Sequence, residues 1–143
     1  MSTYKHPSEE VACNFLKQQG HIILEHNKIF NLKTYKVEID IISFETSKEL
    51  LHFIEVKNWN SKNLFIHPVI KENIKRKEKI ILSYKKFIEE IYNHLEEYRK
   101  KSEYKSFLCL LEKKNLWEIP ISFDLIWITK KNIEWIPNIF IED

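Results

Sequence analysis

The sequence is poor in glycine, cysteine and proline, and it has no long apolar run. Its 143 residues include one glycine, two cysteines and four prolines. Cys13 and Cys109 lie far apart without CxxC spacing, so we expect reduced thiols and neither a disulfide framework nor a zinc site built on cysteine. No apolar stretch approaches the ~20 residues that cross a bilayer, and the first residues lack the pattern of a signal peptide. These absences predict a cytoplasmic protein without a membrane partner.

The charge is also close to balanced. A formal net charge of +2 is too small to indicate nucleic-acid binding by itself. The hydrophobic fraction of 43% and the aromatic fraction of 13% are typical of a folded globular protein. Since no repeat, low-complexity tract or glycine-serine linker divides the chain, we predict a single domain over residues 1–143.

The first predicted element is a helix over roughly residues 7–19. Pro7 suits the first helical position and Gly20 suits the residue just past the end. The inward stripe contains Ala12 and Leu16, and Glu9 lies on the same stripe by helical spacing. Its neighbour Glu10 falls on the outer face. The two adjacent glutamates are therefore predicted to have different environments.

Three β-strands are predicted next, the last two of which form a hairpin. Residues 21–30 form the first strand, and residues 35–44 and 50–59 are β-branched and aromatic runs joined by a short polar connector. A turn centred on Ser47 and Lys48 places Asp40 opposite Glu55. The same register places Phe44 opposite Leu51, Ile42 opposite Phe53 and Glu38 opposite Lys57.

Strict alternation assigns the hairpin residues to two faces. One face is nearly all apolar and carries Val37, Ile39, Ile41, Ile54 and Val56. The other face is apolar along most of its length and carries four charged residues at one end: Asp40, Glu55, Glu38 and Lys57. Since both faces are largely apolar, the hairpin is predicted to lie in the centre of a sheet with helices on both sides.

The segment from about Pro68 to Tyr104 is strongly helical. Its apolar residues recur every seven positions at Ile74, Ile81, Ile88 and Leu95, with Tyr84, Ile91 and Tyr98 between them. One straight helix of this span would be about 50 Å long at ~1.5 Å per residue, so we expect a break or a helical hairpin at an unassigned position. Residues 104–114 favour helix over strand, and residues 121–129 predict a strand.

The charged end of the hairpin contains the residues that could carry chemistry. Asp40 and Glu55 on adjacent strands would have Cβ atoms roughly 5 Å apart and would repel by about 3 kcal/mol at an effective dielectric near 20. A bound cation relieves that repulsion, and oxygen ligands favour Mg²⁺ or Mn²⁺. Lys57 lies on the same face, where it can orient an attacking water or offset charge on a phosphate. Glu9 could supply a further metal ligand, and Glu38 could do likewise or pair with Lys57.

These residues resemble the PD-(D/E)XK nuclease superfamily and, within it, the small bacterial YraN-like family, which is related to archaeal Holliday-junction resolvases. The matching stretches are SEEVACNFLKQQG, VEIDII, HFIEVK, a basic helix, SFDLIWI and IEWIPNIF, in family order over nearly the whole chain. The resemblance implies an α/β fold with an αβββαβ core, a central mixed sheet with helices on both faces and an enlarged helical region. It also implies that Asp40 and Glu55 are metal ligands, Lys57 the motif lysine and Glu9 the helix-borne acid, acting on nucleic acid.

The sequence also departs from the family pattern. Val37 and Ser122 stand where glycine and arginine are usual, and Asn58 and Trp59 follow Lys57 in place of a nearby arginine. About twenty extra residues lie in the helical region. The family's helix-borne lysine therefore falls either at Lys77 or near Lys100, and the apolar stripe favours Lys77.

Each candidate residue also has a purely structural interpretation. Asp40, Glu55 and Lys57 could form a cross-strand salt-bridge cluster, Glu9 a favourable first-turn acid, and Asp124 a hydrogen-bonding residue at a strand edge. The basic segment that includes Lys75, Arg76 and Lys77 could bind phosphates or be a solvated helix face. His67 is the one histidine near the predicted site, and Trp59 could stack on a base or pack in the core.

Three functions follow from these patterns. The first is a Mg²⁺- or Mn²⁺-dependent nuclease in which Asp40, Glu55 and Lys57 hydrolyse phosphodiester bonds, with DNA the favoured substrate. The second is a nucleic-acid-binding module of the same fold that has lost catalysis. The third is an interaction protein that forms a homodimer through the heptad-patterned helix.

Overall fold

The computed structural model describes residues 7–58, 77–130 and 132–138. The helices are α1 (Pro7–Gln18), α2 (Lys77–Asn93), α3 (Leu95–Arg99) and α4 (Lys105–Lys113). The strands are β1 (His21–Asn31), β2 (Lys36–Glu45), β3 (Leu50–Asn58), β4 (Ile121–Ile128) and β5 (Ile133–Ile136), with short 3₁₀ turns at Ser102–Tyr104 and Leu116–Glu118.

Helix α1 matches its prediction closely. It begins at Pro7 and ends two residues before Gly20, whose φ of +91° lies in the left-handed region that glycine adopts without strain. Glu9, Ala12 and Leu16 are buried, whereas Glu10 is exposed. The different environments predicted for the two glutamates are therefore confirmed.

The five strands form one mixed sheet in the order β1-β2-β3-β4-β5. All neighbouring strands are antiparallel except β3 and β4, which are parallel. The hairpin of β2 and β3 has a neighbouring strand on each side, as predicted from its two largely apolar faces. Its register is as predicted where the strands pair, with Phe44 opposite Leu51, Ile42 opposite Phe53 and Ile41 opposite Ile54. The pairing ends there, so the predicted pairs of Asp40 with Glu55 and of Glu38 with Lys57 do not form between β2 and β3.

Helices cover both faces of this sheet. Ala12, Cys13 and Leu16 of α1 pack on one face against Ile41, Ile54, Ile126 and Ile128. The larger core lies on the other face, where α2 and α4 cover β-strand side chains that include Phe30, Phe44, Phe53 and Phe123. The architecture is an α/β fold with a restriction-endonuclease-like core, as predicted.

The prediction that Val37 and Ile39 share a face with Ile41 is wrong. Both residues pack in the larger core with Ile42 and Phe44. The alternation of β2 changes at Asp40, beside an irregular part of β1. Asn27 of β1, which lies between the partners of Ile39 and Ile41, has a φ of +53°, and a separate register shift between Ile23 and Glu25 lies opposite Ile42 and Ser43. A local backbone irregularity such as that at Asn27 changes which side chains face the core.

The long helical segment is broken, as its length required. Helix α2 ends at Asn93, and His94 leaves helical geometry with φ −130° and ψ 40° before α3 begins. Residues 105–113 form α4, which confirms the helical preference, and 121–128 form β4. The predicted residue Ile74 lies outside the described residues. No helix in the described ranges is long and apolar enough to cross a membrane.

The apolar stripe of α2 packs on the sheet. Tyr84, Ile88 and Ile91 are buried as the heptad pattern predicted. Ile80 and Phe87, which the pattern did not select, are fully buried, whereas Ile81 is only half-buried. The buried residues of α2 recur with a period nearer 3.6 than 3.5 residues, and they pack against the sheet of the same chain. The homodimer that the heptad pattern suggested remains a prediction.

Candidate functional site

The candidate site lies where β2 and β3 separate. Paired residues of the two strands run from Glu45 and Leu50 to Ile41 and Ile54. Just beyond this point the Asp40 Oδ2 atom accepts a hydrogen bond of 2.8 Å from the backbone N–H of Val56. The carboxylate therefore bonds to the backbone of β3 at the point where the two strands begin to separate.

Asp40 has an unfavourable electrostatic environment. Burial, together with the charges of Glu55, Glu9 and Glu38, raises its pKa to about 6 against the opposing effect of the hydrogen bond from Val56. Three acidic side chains therefore act on one carboxyl group. An arrangement of this kind is stabilised by a cation or by a proton.

Glu55 and Lys57 lie two residues apart on β3. The Lys57 Nζ atom lies 3.3 Å from Glu55 Oε1, and the two side chains are 34% and 16% exposed. Lys57 thus forms an ion pair with Glu55, and its ammonium group remains open to solvent. Glu38, the alternative partner in the sequence prediction, is an exposed residue close enough to influence Asp40.

Glu9 reaches the same region from α1. The residue is only 3% exposed, and its Oε2 atom is buried without a hydrogen-bond partner among the described residues. Its charge acts on Asp40, so the two carboxyl groups are near each other. A buried carboxylate oxygen without a partner is rare and calls for an explanation.

The remaining predicted residues include four that the structure does not describe. Lys75, Arg76, His67 and Trp59 lie outside the described residues. Lys77 is the half-buried first residue of α2, whereas Lys100 is exposed after α3. The choice between these two lysines therefore stays a prediction.

Asp124 forms hydrogen bonds, as predicted, but it lies in the interior strand β4 rather than at a sheet edge. Its side chain is fully buried. It accepts hydrogen bonds from His52 Nδ1 (2.6 Å), Ser122 Oγ (2.5 Å), Trp135 Nε1 (3.0 Å) and the Asn138 backbone N–H (2.8 Å). Burial opposes the charge of this carboxyl group, but the donors, His52 first, hold its pKa below the ordinary value.

Sequence reasoning missed two groups of residues. Asn27, which lies beside Asp40 across the β1–β2 pairing, carries no motif. His21, Glu45 and His52 cluster around Asp124 on the α1 side of the sheet. The predicted hairpin register already contained a signal, because it places His52 opposite Ser43, two residues from Glu45. The partner strand of His21 could not be known from the sequence.

The chain is similar to proteins of one bacterial family. A model of the uncharacterised protein family UPF0102 matches residues 8–128. A UPF0102 protein of Francisella tularensis subspecies tularensis is 32% identical over 133 residues, which cover 93% of this chain and 90% of the relative. A UPF0102 protein of Fervidobacterium nodosum is 37% identical over 82 residues, covering 57% of this chain and 56% of the relative.

A third relative matches a shorter stretch. A UPF0102 protein of Campylobacter concisus is 52% identical over 50 residues, which cover 35% of this chain and 40% of the relative. The family match spans α1, the whole sheet up to β4 and the candidate site between them. The chain therefore belongs to UPF0102, the YraN-like family of the restriction-endonuclease-like superfamily.

Proposed function

We propose that this protein is a metal-dependent nuclease that hydrolyses phosphodiester bonds of nucleic acid, with DNA the favoured substrate. The observation that carries the proposal is the position of the Asp40 carboxylate. It is fixed by the Val56 N–H between two separating strands and is influenced by the charges of Glu55 and Glu9. Lys57 extends from the same strand as Glu55 with an accessible ammonium group.

The side chains present fit a hard divalent cation. Asp40, Glu55 and Glu9 offer only oxygen atoms, which Mg²⁺ and Mn²⁺ prefer, and the Oε2 atom of Glu9 is buried without a hydrogen-bond partner among the described residues. When bound, such a cation would supply Lewis-acid activation of the phosphate and of water. The raised pKa of Asp40 is a further argument, because a cation would stabilise the charged form that burial disfavours.

Lys57 would act on the substrate. Its ammonium group is held by Glu55 at 3.3 Å and is about one-third exposed, so it can contact a phosphate oxygen without leaving the ion pair. A fixed positive charge there offsets the negative charge that develops as the phosphodiester bond breaks. Glu55 therefore has two uses, as a metal ligand and as the group that positions Lys57.

A cleavage assay tests the proposal directly. The purified protein is incubated with single-stranded, duplex, flapped and four-way DNA, and with RNA, in Mg²⁺ or Mn²⁺. We expect metal-dependent cleavage of at least one substrate, with at least about 100-fold loss in Asp40→Asn and in Lys57→Ala. Lys105→Ala, an exposed lysine near the β2–β3 turn, is the matched control and keeps full activity. Cleavage that is equal in Asp40→Asn and the parent protein would come from a contaminant and would refute the proposal.

Glu9 and Glu10 provide a matched pair for metal binding. Both are in the first turn of α1, but only Glu9 is buried near Asp40. In a Mn²⁺ titration followed by calorimetry, Glu9→Gln is expected to weaken binding by about 10-fold or more. Glu10→Gln should leave the affinity unchanged. Equal affinities for both variants would exclude Glu9 from the metal site.

The same materials distinguish catalysis from simple binding. A binding module without turnover would bind DNA in a salt-dependent way without cleavage, and binding would persist or tighten in Asp40→Ala as repulsion of phosphate falls.

Crystals soaked in Mn²⁺ test the metal ligands, since an anomalous peak between Asp40 and Glu55 is expected. A peak elsewhere would refute the assignment of the metal ligands.

A further inference from the structure

A second cluster of ionisable side chains lies toward the opposite end of the sheet from Asp40. His21 begins β1, Glu45 ends β2 and His52 lies near the start of β3. His21 pairs directly with Glu45 across the two strands. Glu45 is five residues from Asp40 along β2, or roughly 17 Å at ~3.3 Å per residue. The cluster is therefore separate from the candidate nuclease site.

Each of the two imidazole rings is oriented by a hydrogen bond between its Nδ1 atom and a residue that is not part of the His21, Glu45 and His52 cluster. His21 Nδ1 lies 2.9 Å from Ser43 Oγ, and His52 Nδ1 lies 2.6 Å from Asp124 Oδ2. Asp124 also accepts from Ser122, Trp135 and the Asn138 N–H, so the Nδ1 atom of His52 is taken as the donor in this bond. Carboxylate and hydroxyl groups that fix the far nitrogen of a histidine are typical of metal sites.

The remaining nitrogen atoms converge on Glu45. Its Oε1 atom lies 2.9 Å from His52 Nε2 and 3.7 Å from His21 Nε2, and the two ring centroids are 4.5 Å apart. One ligand atom from each of the three residues lies within 4.8 Å of the other two. A tetrahedral zinc ion with bonds of ~2.0–2.2 Å needs its ligand atoms about 3.3 Å apart. Small side-chain movements would therefore complete the site.

One nitrogen in this cluster has no hydrogen bond. His21 Nε2 is buried and has no hydrogen-bond partner among the described residues. When the Nδ1–H of His21 donates to Ser43 Oγ, the lone pair of His21 Nε2 faces the Glu45 Oε1 atom at 3.7 Å. A lone pair facing a carboxylate is unfavourable unless a cation lies between them.

We propose that His21, Glu45 and His52 bind a zinc ion or a similar first-row transition-metal ion. Two imidazoles and one glutamate are a zinc ligand set that leaves a fourth position for water or another ligand. The imidazole nitrogens select such an ion against Mg²⁺. Trp135 covers the rings at centroid distances of 5.3 and 5.9 Å, and the partly exposed Glu45 side chain, 11% accessible, gives a route from solvent.

The bound ion would join the ends of three strands, β1, β2 and β3. Such a cross-link is independent of the proposed nuclease chemistry, since it uses different side chains at a different place. Removal of the metal by a chelator should therefore lower the thermal stability of the protein even in an Asp40→Asn variant.

Metal titration of the chelator-treated full chain tests the proposal. We expect one Zn²⁺ ion per chain, not displaced by excess Mg²⁺, and Co²⁺ bound at the same site should give visible d–d absorption. His21→Gln and His52→Gln should each weaken Zn²⁺ binding by at least about 10-fold. The exposed His94→Gln is the control and keeps the parent affinity.

Two results of the titration would overturn the zinc proposal. Zn²⁺ binding that is absent in the parent protein, or unchanged in both folded histidine variants, contradicts it. Because buried histidine variants can fail to fold, Zn²⁺-soaked crystals of the parent protein provide a second measurement. An anomalous zinc peak between His21 and His52 is expected, and an ion found only elsewhere refutes the site.

Discussion

Asp40 is a single residue whose charge the folded protein disfavours. Its folded pKa of about 6 exceeds the ordinary value of 3.8, mainly because of burial. The folded state therefore binds the proton more tightly than the unfolded state does. The resulting stabilisation is complete below about pH 4 and is lost as the pH rises through about 6. At neutral pH without metal, the ionised carboxyl group destabilises the fold.

Asp40→Asn should therefore stabilise the metal-free protein. The amide oxygen still accepts the Val56 hydrogen bond, and the charge is gone. Near pH 7.5 we expect the free energy of unfolding to rise by about 2 kcal/mol, after an allowance for solvent screening. Urea denaturation with a chelator present measures it, with Glu10→Gln as an exposed control. A gain that persists undiminished at about pH 4 would contradict this explanation.

The sequence allowed the hairpin residues of the candidate site to be predicted, but not the histidine cluster. The roles proposed for Asp40, Glu55 and Lys57 came from residue type, from register and from the family resemblance, all of which can be judged within one hairpin. The histidine cluster was missed because His21 and Asp124 reach it from β1 and β4, which are distant in sequence from the hairpin. Histidines that are scattered along the sequence have no characteristic spacing, so the sequence alone does not show that they lie close together in the fold.

Among the structural elements, α2 depends most visibly on aromatic packing. Phe87 is fully buried in the middle of the helix. Its ring lies 6.2 to 6.4 Å, between centroids, from four aromatic side chains: Phe30, Phe53, Tyr104 and Phe107. The ring joins α2 to β1, β3 and α4 at one point. This contact, rather than intrinsic helix preference, fixes how α2 lies on the sheet.

Phe87→Ala should lower the free energy of unfolding by about 3–5 kcal/mol, through lost burial and the cavity left behind. The matched control is Tyr92→Ala, since Tyr92 is on the same helix and half exposed. Its effect should stay below about 1 kcal/mol. Chemical denaturation of both variants measures the difference. Similar losses for the two substitutions would show that Phe87 packing does not hold the helix in place.

Element boundaries were predicted well, whereas one strand's faces were not. Capping residues and local patterns defined α1, the hairpin and β4, because those signals lie within each segment. The face of Val37 and Ile39 depends on the irregularity at Asp40 and on its neighbour Asn27 in another strand. A prediction that assumes strict alternation does not detect such an irregularity in advance.

At the scale of the whole molecule, two groups at opposite ends of the sheet respond to acid in opposite ways. The pKa of Asp40 is raised to about 6, so its protonation on acidification stabilises the fold. The pKa of His21 is lowered from 6.5 to about 4, chiefly by burial and by the charge of His52, with Glu45 and Asp124 opposing. Its neutral form contributes stability above about pH 6.5, and this is lost as the pH falls toward 4.

The two contributions should separate in single variants of the metal-free protein. Between about pH 6.5 and 4, stability should fall more steeply with acid in Asp40→Asn than in the parent protein. In His21→Gln it should fall less or rise. Urea denaturation at several pH values measures these slopes. Identical slopes in all three proteins would show that neither group controls the acid response.

The left-handed residue in β1 has a consequence for solubility. β1 is an edge strand of eleven residues, and such an edge can recruit the strand of another molecule. Asn27, with its φ of +53°, interrupts the regular edge, and asparagine tolerates that conformation well. Asn27→Val strongly disfavours it and should straighten the strand, so that concentrated solutions aggregate, as light scattering would detect. Asn31→Val, at the end of the same strand, should leave the protein dispersed.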